Sequence, residues 1–229
     1  MTKEHKLILI GDSAFAEVAY EYFTWDSQYE VVAFAVEREY RTRDQFQGLP
    51  VVDFEELPKL YASARHHFFA SLAYRSRNRL RTRLYRTAKA LGYTPASYIS
   101  SRAFVWRDVE LGEHCFIYEN NVLQPRVKVG SNVVICSGNH VGHHSRIGSN
   151  CYLASHVAIS GYVEVGESCF LGVNSTISNN LTVGSDCTIG AGALVLSDVP
   201  PRQVVVGTWK VPRVAPAAEL TALAVPAEA

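Results

Sequence analysis

The chain has 229 residues, 48% of them apolar, and its 22 basic residues balance 22 acidic ones. That apolar content supplies a packed core and excludes wholesale disorder, while the charge balance gives no electrostatic reason to bind nucleic acid or an anionic membrane. No apolar run has the length of a membrane span and the N-terminus enters a strand-like run rather than a signal peptide, so the expectation is a soluble, cytoplasmic enzyme.

In chain order, Lys6-Leu7-Ile8-Leu9-Ile10-Gly11 reads as a buried strand ending in glycine, Ala14 to Phe23 as a helix, and Tyr29 to Val36 as a second strand. Leu49 to Phe54 and His67 to Leu72 are further strands, and Arg75 to Leu91 is a helix with Leu80, Leu84 and Ala88 on one stripe. This alternation predicts a small Rossmann-like parallel sheet over residues 1–100, with ligands beyond the carboxyl ends of its strands. The loop Gly11-Asp12-Ser13-Ala14-Phe15-Ala16 holds one glycine where a dinucleotide fingerprint has three, which argues against NAD. A helix N-terminus there still suits a phosphate. Glu37 reads equally as a ribose or base ligand and as a solvated loop acid. Arg75, Arg77, Arg79, Arg81, Arg83 and Arg86 read first as a solvated helix face, and second as pyrophosphate ligands.

From Val105 to Val195 an aliphatic residue recurs at every sixth position, sixteen times without a break. Three residues after it come Asp108, His114, Asn120, Asn132, Gly138, His144, Asn150, His156, Asn174, Asn180, Asp186, Gly192 and Asp198, mostly types that tolerate a left-handed backbone. Each hexad is therefore a short strand and a corner. Three hexads make an 18-residue coil, and about five coils are expected over residues 103–199. Cys115, Cys151, Cys169 and Cys187 fall in one column of this repeat and read as small buried thiols in a reducing compartment. The unbroken register leaves no loop to act as a lid, so any lid comes from another domain or subunit. The tail, residues 215–229, is small-residue and proline-bearing and is expected to be poorly ordered.

The hexad register also separates the histidines. His144 and His156 occupy the corner column, where polar residues are expected in any case, and His140 precedes an inward aliphatic. His143 is the only histidine of its column, which makes it the candidate general base. No Ser-His-Asp or Cys-His arrangement calls for an acyl-enzyme.

The six-residue pattern resembles the left-handed parallel β-helix of hexapeptide-repeat acyltransferases, which supplies the handedness of the all-β domain over residues 101–214. With His143-His144-Ser145-Arg146-Ile147-Gly148, Ser160 to Gly166, Phe170 to Ser175 and Ile189 to Ala193, the chain resembles nucleotide-sugar acetyltransferases of the sialic acid O-acetyltransferase (NeuD) type. These include UDP-4-amino-sugar N-acetyltransferases of bacterial glycan pathways, and the likeness runs from about Lys6 to Val214. It implies acetyl-CoA as co-substrate, a nucleotide-linked amino sugar as acceptor, and a homotrimer. It implies His143 as base, with His144 beside it as a second catalytic candidate. It places acetyl-CoA contacts at Tyr152, Val173 and Ala191, and sugar-nucleotide contacts at Ser13, Ala14, Phe15, Val36 and Glu37. Where the family often has a carboxylate after the histidine, this chain has His144. The alternatives are sugar O-acetylation, a zinc enzyme of the γ-carbonic-anhydrase kind using His140, His143, His144 and His156, and a non-catalytic nucleotide-sugar-binding protein. The leading reading needs no metal.

Overall fold

The computed structural model describes residues 2–74 and 78–207, so the tail, Arg75 and Arg77 lie outside the described residues. The N-terminal unit is a six-stranded sheet built from β1 (His5–Ile10), β2 (Tyr29–Val36), β3 (Gln45–Phe46), β4 (Leu49–Asp53), β5 (His66–Ala70) and β6 (Thr94–Pro95), in the order β3-β4-β2-β1-β5-β6. Every pairing is parallel except β3 with β4. Helices cover both faces, so β1 is apolar on both sides rather than alternating. Leu7 and Leu9 meet Phe15, Ala16, Ala19 and Phe23 of α1 (Ala14–Trp25). Ile8 and Ile10 face Leu84, Tyr85 and Ala88 of α3 (Arg79–Ala90) across the other layer. The short α2 (Leu57–Leu60) opens with a proline in its first turn.

Three local expectations change. The hairpin β3–β4 was not foreseen: its two-residue strand is too short to show alternation, and only the turn Gln47-Gly48, with φ of 50° and 73°, marks it. Leu80 is exposed rather than part of the buried stripe. The arginines of α3 are not one solvated face either, because Arg81 is only 1% exposed.

The second unit is a left-handed parallel β-helix, a three-faced prism. Its first face has seven strands, from Tyr98–Ile99 to Val204–Val205; the second has six, from Phe104–Val105 to Leu194–Val195; the third has five, from Glu110–Leu111 to Thr182–Val183. Partners along each face are 18 residues apart, as in Phe116 with Val134 and His140 with Ala158. The last coil is shorter: Thr188 pairs with Val204 after 16 residues, where Pro200-Pro201 interrupts the hexad. The aliphatic column points inward together with the thiols of Cys115, Cys151, Cys169 and Cys187, all buried and unbridged.

The corners take positive φ through most of the expected column, from His114 to Gly192. Asp108 and Asp198, in the outermost coils, do not. Arg126, Tyr162 and Ser168 do, although their types favour it less, because the 18-residue repeat imposes the geometry on whatever residue falls there.

The α/β unit lies on the first face. Phe15, Phe23 and Phe69 pack edge-on or tilted against Tyr98 and Phe116, with ring centroids 5.3–5.7 Å apart. Beside this cluster the Arg81 guanidinium donates to the carbonyls of Ala70 (3.1 Å), Asn132 (3.0 Å) and His114 (3.4 Å), tying β5 to the edge between third and first faces. No helix among the described residues is long and apolar enough to cross a membrane.

Candidate active site

His143 stands at the edge between the second and third faces, the edge of the prism that does not border the α/β unit. Its backbone N–H donates to Gln124 Oε1 at 2.9 Å, which ties the corner to the coil below. Its ring lies over Gly161, one coil above: a Cβ built there would sit 2.7 Å from Cε1 and 2.9 Å from Nε2. The ring is exposed, and its Nδ1 lies 3.2 Å from Nδ1 of His144. His144 is stacked on Tyr162, with centroids 4.6 Å apart and planes 13° apart, and Tyr162 meets the His143 ring edge-on at 5.2 Å. Tyr162 is thus 52% exposed, in a left-handed conformation (φ 58°), and holds two imidazoles. Gln124, Gly161 and Tyr162 were not singled out from the sequence. Adding 18 to 143 and 144 gives 161 and 162, which was the available signal.

Val173 and Ala191 are exposed at the opposite edge of the second face, joined through the Gly192 N–H to Val173 O bond of 2.8 Å. Ser155 extends the column, accepting from the Asn174 N–H at 3.1 Å. Tyr152 is elsewhere. It is half-buried on the first face, with its ring 5.9 Å from Phe170 and its hydroxyl accepting from Cys136 Sγ at 3.4 Å. Burial pushes its phenol upward. His156 lies over Gly138 on the Val173 edge and His140 is exposed on the second face, so the four histidines of the metal alternative are spread over a face and two edges. Among the described residues no group of three or more His, Cys, Asp or Glu is gathered as a metal site.

A separate cavity of about 170 Å³ opens at the carboxyl ends of β1 and β2, lined by residues including Gly11, Ser13, Val36, Glu37 and Tyr40. Ser13 caps α1 by position but makes no side-chain capping bond. Ala14 is exposed beside it, whereas the Phe15 side chain is in the aromatic core and leaves only its backbone near the loop. Glu37 accepts two 2.8 Å hydrogen bonds from Arg83, which hold its carboxyl below the usual carboxylate range despite partial burial. Arg83, which the sequence offered only as one of six arginines, is therefore the residue that fixes the cavity's Glu37.

The hexapeptide repeat of succinyl-transferase matches residues 162–197. No curated protein matches the chain. Among solved structures, PerB from Caulobacter crescentus, in complex with CoA and GDP-perosamine, is 29% identical with a TM-score of 0.78, over 88% of this chain and 94% of that one. The acetyltransferase domain of PglB from Neisseria gonorrhoeae is 23% identical with a TM-score of 0.79, over 89% and 97%. WeeI from Acinetobacter baumannii is 19% identical with a TM-score of 0.63, over 89% and 97%. The last two likenesses concern the fold.

Proposed function

We propose that the chain transfers the acetyl group of acetyl-CoA to the amino group of a nucleotide-linked sugar, with His143 as general base. The observation that carries this reading is an exposed imidazole on a β-helix edge, in a chain that over 88% of its length resembles a protein in complex with CoA and GDP-perosamine. The amine lone pair attacks the thioester carbonyl carbon. The C–N bond forms, the C–S bond breaks, and His143 Nε2 takes the proton lost by nitrogen and returns it to the departing thiolate. Products are the N-acetyl sugar and free CoA thiol, without an acyl-enzyme. Val173 and Ala191 are assigned to the pantetheine, which small or short side chains allow to approach the backbone, and Tyr152 to a more distant part of the donor. Ser13, Ala14, the Phe15 backbone and Glu37 are assigned to the nucleotide-sugar.

The same reading makes the protein a homotrimer. The acceptor cavity belongs to the unit on the first face, while His143 is on the edge away from it and Val173 and Ala191 are on another. One chain does not bring the three together, but neighbouring copies packed along the second face do. That face exposes Phe104, Trp106, Leu194 and Leu196, and its strands carry no lysine, arginine, aspartate or glutamate. The third face carries Glu110, Lys128, Arg146 and Glu164 in ion-paired rows. Light scattering checks this: a monomer at micromolar concentration refutes it.

The function is tested by thiol release from acetyl-CoA against a panel of nucleotide-linked amino sugars. Turnover with an amino sugar and none with its hydroxyl counterpart supports it. Turnover only on the hydroxyl sugar selects O-acetylation of the NeuD kind. No thiol release with any acceptor overturns it.

A further inference from the structure

We propose that His144, in its neutral form, is the acceptor that fixes the His143 tautomer, and that Tyr162 is a positioning residue that holds His144 in place for it. This rests on His143 being the base.

Two Nδ1 atoms 3.2 Å apart bond only if one carries hydrogen and the other a lone pair. If His143 Nδ1 donates, its Nε2 keeps the lone pair and is the base. If His144 Nδ1 donates, His143 Nε2 carries the hydrogen and has nothing to accept with. The side chain at 144 thus decides whether the base is armed. A proton added to His144 places hydrogen on its Nδ1, forces the His143 lone pair round to that side, and disarms it.

The charged groups around the pair do not take over this role. Arg126, one coil below His144, is bound to Asp108 at 3.2 Å. Arg146 and Glu164, on the adjoining third face, pair with each other at 3.9 Å. Gln124 is neutral and serves the His143 backbone N–H. Among the described residues no carboxylate forms an ion pair with either imidazole. What remains against His144 is the Tyr162 ring, stacked on it at 4.6 Å.

The repeat sets the left-handed corner at Tyr162 (φ 58°) as it does at its neighbours in the column. Here the corner turns an aromatic ring up against two imidazoles.

The test needs no substrate at first. In full-length protein with ring-¹⁵N histidine, His143 shows the Nδ1–H tautomer at pH 8. It keeps that tautomer in His144→Asn, whose side-chain oxygen accepts and whose type suits the positive φ, and reverts to Nε2–H in His144→Ala. An Nε2–H tautomer for His143 in the wild type overturns the proposal. In turnover, His144→Ala lowers kcat by about tenfold to a hundredfold with acetyl-CoA KM unchanged, and His144→Asn restores most of it. Tyr162→Phe, which keeps the stacked ring, retains the Nδ1–H tautomer of His143. Tyr162→Asn lowers kcat although asparagine relieves the backbone, so thermal stability does not fall with it. Wild-type kcat in Tyr162→Asn overturns the role of Tyr162. The tautomer arm stands even if acetyl transfer is not the reaction, so the two failures are distinguishable.

Discussion

Replacing Arg81 by alanine is expected to loosen the junction between the two units. The guanidinium is buried, lies 5.5 Å over the Phe69 ring, and donates to three backbone carbonyls, with no carboxylate paired to it among the described residues. Burial without a counter-ion pushes its pKa down to about 10, so it remains a cation at neutral pH. Its removal strands up to three buried acceptors, each worth about 1–3 kcal/mol, and opens a cavity; the desolvation cost of the cation itself is recovered. The net loss is about 3–5 kcal/mol, the range for breaking a buried charged contact. Against a typical total of about 5–15 kcal/mol this is a large fraction, equivalent to a fall in Tm of roughly 10 °C for a chain of this size. Thermal and urea unfolding measure it, and the α/β unit is expected to melt ahead of the coils. A loss below about 1 kcal/mol, with one unchanged transition, would refute the reasoning, since the carbonyls would then be satisfied without the guanidinium.

His143→Ala is expected to leave the fold intact and lower kcat by about 10²- to 10⁴-fold with little change in acetyl-CoA KM; wild-type turnover on the cognate sugar ends the general-base assignment. Gly161→Ala places a methyl group 2.7 Å from the His143 ring, so kcat should fall without loss of Tm, and unchanged kinetics would mean that the ring works elsewhere. His114 gives the protein a pH dependence: fully buried beside Arg81, it is held well below the usual histidine value, chiefly by desolvation and then by that cation. The unfolded chain therefore binds the extra proton first. Stability is complete above about pH 6.5 and falls by about 1.4 kcal/mol per unit below it while the buried ring stays neutral. Urea titrations between pH 7 and 5 should lose this slope in His114→Asn; an equal slope in both would place the linkage elsewhere.

The coils were legible because one repeat fixes three things at once: the inward aliphatics, the small thiols and the corner residues. Periodicity singled out His143 as a candidate because its column otherwise holds no histidine. It could not reveal the contact with His144, since adjacent residues in a corner meet only through side-chain rotamers, nor the stacking on Tyr162, which requires pairing across 18 positions. The α/β unit was legible where β1 is an uninterrupted apolar run, and less so where an element is short. Arg81 misled for a chemical reason: an arginine-rich helix reads as solvated, and nothing local indicates that one guanidinium meets carbonyls contributed by residues 70, 114 and 132. Glu37 was legible as a candidate by its place after β2, while its partner Arg83 lies 46 positions away.

The uninterrupted 18-residue spacing from Tyr98 to Ile189 makes the prism a ruler graduated in steps of about 4.8 Å, the distance between neighbouring strands. In a closed ring of copies there is no translation along the axis, so equal coil numbers stand at equal heights. The α/β unit is anchored low on this scale, by Tyr98, Phe116 and Val134, and His143 follows in the coil that begins at Val134. Inserting 18 residues between Val134 and His143 would keep the kind of inward contact and the cross-section. In the trimer proposed above it would also raise the imidazole by a full graduation relative to the neighbour's cavity, farther than a hydrogen bond can stretch. Chain length in this stretch is therefore quantised twice, once by the core, which accepts only whole coils, and once by reach, which accepts only the number already there.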